Sequence, residues 1–136
     1  MKPTVLLVED NKTQRMVIER ILNKAGYDMI HAADGDMALS MAREQHPDLI
    51  LLDLMLPKVS GHDVLKTLKQ DAATQKIPVI ILSGLSQNNE IKLRKDGAAL
   101  YFEKSQLLDS KSGGDKFLEA IRACIAPPNA KAARST

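Results

Sequence analysis

The chain has 136 residues, 44% of them hydrophobic and 26% charged, a size and balance that suit one globular domain and exclude both a disordered chain and a membrane protein. The formal charge is +2; of the 19 basic residues two, Lys131 and Arg134, lie in an acid-free terminal segment, which leaves 17 against 17 acidic ones. That balance excludes the basic footprint needed to grip a phosphate backbone, so no direct nucleic acid binding is expected.

No apolar run approaches the roughly 20 residues that span a bilayer. Met1-Lys2-Pro3-Thr4, followed at once by a short apolar run and acids, lacks the layout of a secretory signal. The expected location is the cytoplasm, with no membrane contact. The single cysteine, Cys124, excludes an internal disulfide and a cysteine metal cluster.

In chain order, the first apolar run is Val5 to Val8. A helical segment follows, opening at Asn11 with Gln14 three residues on as a capping box and closing at Gly26. Its apolar stripe is Val17, Ile18, Ile21, Leu22 and Ala25. Met29 to Ala32 is the second run, and the next helix carries Met37, Ala38, Met41 and Ala42. Leu49 to Leu52 is the third run, followed by a helix with Val64, Leu65 and Leu68. Val79 to Leu82 is the fourth run. The helical segment after it, Ser86 to Asp96, is largely polar around Ile91 and Leu93, which predicts a thinly packed helix. Ala99 to Phe102 is the last run, and Phe117, Leu118, Ile121 and Ile125 mark the last helix. The methionines read as core filler and Cys124, in the last helix, as a partly buried small apolar residue.

Nearly continuous apolar runs are buried on both faces, as in a parallel sheet covered by helices. Strict alternation of strand and helix implies right-handed crossovers and hence a three-layer α/β fold, a doubly wound (βα)5 unit with five parallel strands. The domain is expected over residues 1–126. Ala126-Pro127-Pro128-Asn129 stops the last helix, and 127–136 reads as a disordered tail or the start of a linker.

The strands of a parallel sheet all end on one edge, so the residues just past them gather there. Glu9 and Asp10 follow the first strand, Asp53 the third, Ser83 the fourth and Lys104 the fifth. Ligands of open α/β sheets bind beyond these strand ends. Crowded carboxylates call for a hard divalent cation, and Mg²⁺ fits because it takes one or two carboxylates and keeps its other positions for water and phosphate oxygens. A carboxylate can attack phosphorus to give an aspartyl phosphate, while Mg²⁺, an ammonium and a hydroxyl stabilise the transferring oxygens. Singly, each residue has a plainer reading. Glu9 and Asp10 would be a solvated turn, Ser83 a cap, Lys104 a surface lysine; the complementary set at four strand ends favours chemistry. His31, His46 and His62 lack ligand spacing and read as structural or surface residues.

Val5-Leu6-Leu7-Val8-Glu9-Asp10-Asn11, Pro47 through Asp53 to Pro57 with Gly61, Pro78-Val79-Ile80-Ile81-Leu82-Ser83-Gly84, and Gly97-Ala98-Ala99 through Lys104 together resemble the receiver domain of two-component response regulators, from about Thr4 to Ile125. The resemblance implies the flavodoxin-like strand order 2-1-3-4-5. It implies that Asp53 is the phosphoacceptor, that Asp10, Asp53 and the Met55 backbone carbonyl bind Mg²⁺ with Glu9 acting mainly through water, and that Ser83 and Lys104 engage the phosphoryl group. Tyr101 falls at the family's switch aromatic, although a tyrosine there also suits simple burial of its ring. The implied partners are a sensor histidine kinase or phosphotransfer protein and a downstream effector protein or fused output domain, with the chain a monomer or a phosphorylation-dependent dimer. It would be a signalling phosphoacceptor rather than an enzyme, limited to self-phosphorylation and slow loss of phosphate.

Two departures stand out. The family usually has proline after the active-site lysine, joined by a cis bond; here Ser105 follows Lys104, and a trans bond is expected because a non-proline cis bond costs about 3 to 4 kcal/mol. The connection from Ser105 to Gly114, with Ser112-Gly113-Gly114, is long and reads as flexible. A Mg²⁺-dependent phosphatase using Asp53 as nucleophile is the enzymatic alternative, but Met55 stands where such enzymes often carry a second acid. A receiver reduced to a docking domain is a third reading, opposed by the complete acidic set. A nucleotide site is excluded by Glu9-Asp10-Asn11 where glycines would admit a pyrophosphate.

Overall fold

The computed structural model describes residues 3–54, 56, 60–83, 95, 97–103 and 113–125. The elements are β1 (Thr4–Val8), α1 (Lys12–Ala25), β2 (Asp28–Ala32), α2 (Gly35–Gln45), β3 (Leu49–Asp53), α3 (Gly61–Gln70), β4 (Val79–Ser83), β5 (Leu100–Glu103) and α4 (Gly113–Cys124). All strand pairs are parallel, and the sheet runs β2-β1-β3-β4-β5. The expected fold and strand order are therefore both present. Apart from Lys95, the polar helical segment Ser86 to Asp96 lies outside the described residues, as do the Lys104–Ser105 bond, the tail 127–136, Met55, Leu85 and Lys104. No helix among the described residues is long and apolar enough to cross a membrane.

Alternation along each strand divides the core in two. Leu6 and Val8, Ile50 and Leu52, Val79 and Ile81 face one way and pack with Ala38 and Ala42 of α2 and Val64, Leu65 and Leu68 of α3. Val5 and Leu7, Leu49 and Leu51, Ile80 and Leu82 face the other way and pack with Ile18 and Leu22 of α1 and Phe117 and Ile121 of α4. A strand whose two faces are both covered needs apolar residues at every position, which is why β1, β3 and β4 read as unbroken aliphatic runs. The rings of Phe102 and Phe117, 5.3 Å apart and tilted by 57°, tie β5 to α4 in a favourable aromatic geometry.

Local chemistry sets the helix ends. Asn11 caps α1 through its side-chain oxygen, which accepts from the Gln14 amide at 3.0 Å. The capping box is only half formed. The Asn11 amide points to Glu9 Oε2, 3.5 Å away, and the buried Gln14 Oε1 has no hydrogen-bond partner among the described residues, because the acidic turn supplies the acceptor that Gln14 would otherwise provide. Gly26 ends α1 at φ 90°, where glycine carries no steric penalty, and the Tyr27 amide returns to the Leu22 carbonyl at 3.0 Å. Asp34 and Ser60 cap α2 and α3, accepting from the Met37 and Asp63 amides.

Three expectations need correction. Met37 is 45% exposed and Met16 48% exposed; Ala38, Ala42 and the partly buried Leu39 and Met41 form the packed face of α2 instead. The helix α4 starts at Gly113, so Gly113 and Gly114 belong to its first turn rather than to a flexible connection; first-turn amides need no partner within their own helix, which makes that the place where glycine costs least. Asp53 and Ser83 are the last residues of β3 and β4 rather than the first residues beyond them.

Candidate functional site

The carboxyl ends of the central strands collect the acidic residues. The register pairs Val8 with Leu52 and Asp53 with Leu82, so one step past Val8 the chain sets Glu9 beside Asp53 on neighbouring strand ends. The Glu9 amide continues the ladder to the Ala32 carbonyl at 3.1 Å. Asp10 follows, exposed, before the Asn11 cap turns the chain into α1. One carboxylate oxygen from each of Glu9, Asp10 and Asp53 lies within 4.8 Å of the others. Glu9 and Asp53 are buried, at 1% and 2% exposure, whereas Asp10 faces solvent.

Three anionic side chains so close together are costly unless positive charge is shared between them. An all-oxygen donor set suits a hard divalent cation. Around Mg²⁺, opposed ligand oxygens at about 2.1 Å from the ion are separated by about 4.2 Å, so three oxygens within 4.8 Å of one another lie close to the spacing at which they would share one such ion. The fit therefore holds for these residues.

The backbone around Asp53 is tightly packed. Gly61 opens α3 and donates its amide to the Leu54 carbonyl at 3.1 Å. A Cβ on Gly61 would sit 2.6 Å from both the Asp53 carbonyl oxygen and Leu54 Cα, so only glycine lets α3 start this close to the acidic strand end.

Ser83 is 2% exposed at the end of β4. On β5, Tyr101 pairs with Ile81 and Glu103 with Ser83; residues in register in a parallel sheet share a face. Tyr101 therefore lies on the same face as Ser83, one strand over and two residues back, and its half-buried ring packs against the cluster beneath α2 and α3. Of the site residues expected from sequence, the structure thus brings together Glu9, Asp10 and Asp53, and sets Ser83 and Tyr101 on one face of neighbouring strands; Lys104 and Met55 lie outside the described residues.

Sequence reasoning passed over one residue. His31, on β2, is half-buried, and both its ring nitrogens are engaged beside the acidic turn: Nε2 lies 2.7 Å from the Glu9 main-chain oxygen and Nδ1 3.3 Å from Arg15 Nη1. No spacing rule flags it, because it stands 22 residues from Glu9 and only the β1–β2 register brings them together.

The family model described as the response regulator receiver domain matches residues 5–110. The chain belongs to that family. The receiver is 39% identical over 105 residues to the polar-differentiation response regulator DivK of Brucella ovis, covering 76% of this chain and 85% of that protein. Among solved structures it is similar to the response regulator domain of Thermotoga maritima CheB, at 28% identity and a TM-score of 0.77, covering 91% of this chain and 96% of that one. It is also similar to the receiver domain of a sensor histidine kinase from Pseudomonas aeruginosa, described with a magnesium ion coordinated in its active site cleft, at 25% identity and a TM-score of 0.79, covering 92% of this chain and 98% of that one. The receiver is accordingly a phosphoacceptor module of two-component signalling, whose partners are a kinase or phosphotransfer protein upstream and an effector downstream.

Proposed function

We propose that Asp53 is the residue phosphorylated in this receiver, and that Glu9, Asp10 and Asp53, with the Met55 carbonyl, hold Mg²⁺ beside it. The observation that carries this reading is the convergence of three carboxylate oxygens within 4.8 Å at the end of the central strands, in a chain similar to a receiver described with magnesium in its cleft. Bound there, Mg²⁺ supplies positive charge for the oxygens of the transferring phosphoryl group.

The chain's own residues do the rest. An Asp53 oxygen attacks phosphorus; the new O–P bond forms as the P–N bond to the donor histidine breaks, and the imidazole leaves with the electron pair of that bond. Burial of Asp53 in the rigid end of β3 holds its carboxylate in place for in-line attack. The Ser83 hydroxyl donates a hydrogen bond to a phosphoryl oxygen, and the Lys104 ammonium pairs with the phosphoryl charge. As Ser83 moves toward the new group, Tyr101 on the same face turns inward, which alters the surface beside β5 that an effector reads.

The test is incubation of the full chain with a small phosphodonor and Mg²⁺, followed by intact mass measurement. A single stable phosphoryl addition is expected, dependent on Mg²⁺ and lost in Asp53→Asn. Modification that persists in Asp53→Asn, or rapid turnover of many small phosphate esters, would overturn the reading.

The lifetime of the phosphoryl group follows from two neighbours in sequence. Met55 and Leu85, each two residues beyond Asp53 and Ser83, offer no side-chain hydrogen bond to a hydrolytic water, so loss of phosphate is slow. Replacing both with polar residues should accelerate that loss; an unchanged decay rate, followed by mass over time, would contradict it.

A further inference from the structure

The half-buried ring of His31 sits between three elements. It projects from β2, its Nε2 lies 2.7 Å from the main-chain oxygen of Glu9 at the end of β1, and its Nδ1 lies 3.3 Å from Nη1 of Arg15 in the first turns of α1. A carbonyl oxygen only accepts hydrogen bonds and a guanidinium only donates them. The partners therefore select the tautomer: the proton is on Nε2, donating to Glu9, and the Nδ1 lone pair accepts from Arg15.

The Glu9 carbonyl belongs to the peptide plane that joins Glu9 to Asp10. That peptide would turn freely about its flanking bonds if its oxygen met only water. Here the Glu9 amide is held by the Ala32 carbonyl at 3.1 Å and the Glu9 carbonyl by His31, so the plane between the two acids is pinned from β2. The next anchors follow at once, with the Asn11 carbonyl accepting from the Arg15 amide at 3.0 Å and the Asn11 side chain from the Gln14 amide at 3.0 Å. Arg15 is thus tied at both ends: its amide closes the first turn of α1 and its guanidinium orients the ring that holds the acidic turn.

We infer that His31 is a positioning residue for the divalent-cation site. Through the Glu9 carbonyl it sets the direction in which Asp10 leaves the strand, and Arg15 keeps the ring in the donating tautomer. The inference rests on the reading of Glu9, Asp10 and Asp53 as the Mg²⁺ site. Partners one step removed from the metal typically change affinity by about tenfold or more when lost, because the ligands must then be ordered by the ion itself.

Two NMR measurements on the full chain test this. Long-range proton–nitrogen spectra, recorded above the imidazole titration range, should show His31 protonated at Nε2; an Nδ1-protonated ring would overturn the inference without any variant. Mg²⁺ titrations followed by amide shifts should then show His31→Leu, which keeps the bulk and loses the donor, binding about tenfold more weakly than wild type. His31→Gln, whose amide nitrogen reaches the place of Nε2, should restore affinity to within about threefold. Equal binding by wild type and His31→Leu, or a loss in His31→Gln as large as in His31→Leu, would overturn the inference and leave the cation site standing. Absence of Mg²⁺ binding by wild type would instead bring down the reading of the acidic cluster, and the role of His31 with it.

Discussion

Asp53 ends a strand of four aliphatic residues and is only 2% exposed, a position in which a carboxylate carries a desolvation cost of several kcal/mol unless its neighbours compensate. A packing role would be better served by another leucine, so the acid reads as functional from sequence alone. What holds it in place is less legible. Gly61 must lack a Cβ because that atom would lie 2.6 Å from the Asp53 carbonyl oxygen and from Leu54 Cα, and both are backbone atoms that cannot turn aside. Gly61→Ala should destabilise the fold by about 1 to 3 kcal/mol, read from urea unfolding, and should slow phosphorylation of the receiver as α3 is pushed away from the strand end. A variant as stable and as reactive as wild type would show that the close approach is dispensable. His31 is the residue that sequence reasoning left among structural or surface histidines, since its partner is a main-chain oxygen and leaves no residue-type signal.

Elements are joined by their apolar faces, with polar ties between some of them. The Arg43 side chain of α2 grips the Asp71 carboxylate, just past the end of α3, through Nε at 2.9 Å and Nη2 at 2.7 Å. Asp71 Oδ1 also accepts from the Ala73 amide at 2.9 Å. That amide bond first, and the Arg43 contact second, hold the Asp71 carboxyl below its ordinary range. A depressed folded-state value means that the stabilising contribution is complete above the ordinary Asp value of about 3.9 and is lost as pH falls through the lower folded value. Both side chains meet solvent, so the effect is modest. Arg43→Ala should shift the acid-unfolding midpoint upward by a few tenths of a pH unit at low salt, followed by circular dichroism, and the difference should shrink in high salt. Identical acid curves for variant and wild type would show that the pair contributes nothing. The caps at Asn11, Asp34 and Ser60 stand where polar residues precede apolar stripes. The second half of the Asn11 box fails for a reason the sequence does not disclose: the competing acceptor is Glu9, folded back from the strand end.

At the scale of the molecule, alternate residues of five strands feed two apolar clusters, one under α2 and α3 and one under α1 and α4. Their buried members run from Val5 to Phe117 and Ile121, with Ile125 packed at the margin. Residues beyond 125 lie outside the described residues, so the domain expected over residues 1–126 is a matter for truncation. A chain cut after Ala126 should unfold at the same temperature as the full chain, within about a degree, and take up Mg²⁺ with the same affinity. A clear fall in the thermal midpoint would assign the last ten residues a place in the packing.

The order of residues already dictates the five strands, their alternation with helices and hence the layered parallel sheet, because unbroken aliphatic runs such as Leu49 to Leu52 are stable only when both faces are covered. It also determined which acids stand at the strand ends, since the chain leaves a parallel sheet at one edge. The tertiary structure alone decided the distances among them. Register sets Glu9 beside Asp53, the absent Cβ of Gly61 lets α3 close on Asp53, and the β1–β2 pairing carries the His31 ring to the Glu9 carbonyl. These are contacts between residues far apart along the chain, and such contacts exist only once the apolar faces have packed and register across strands is set.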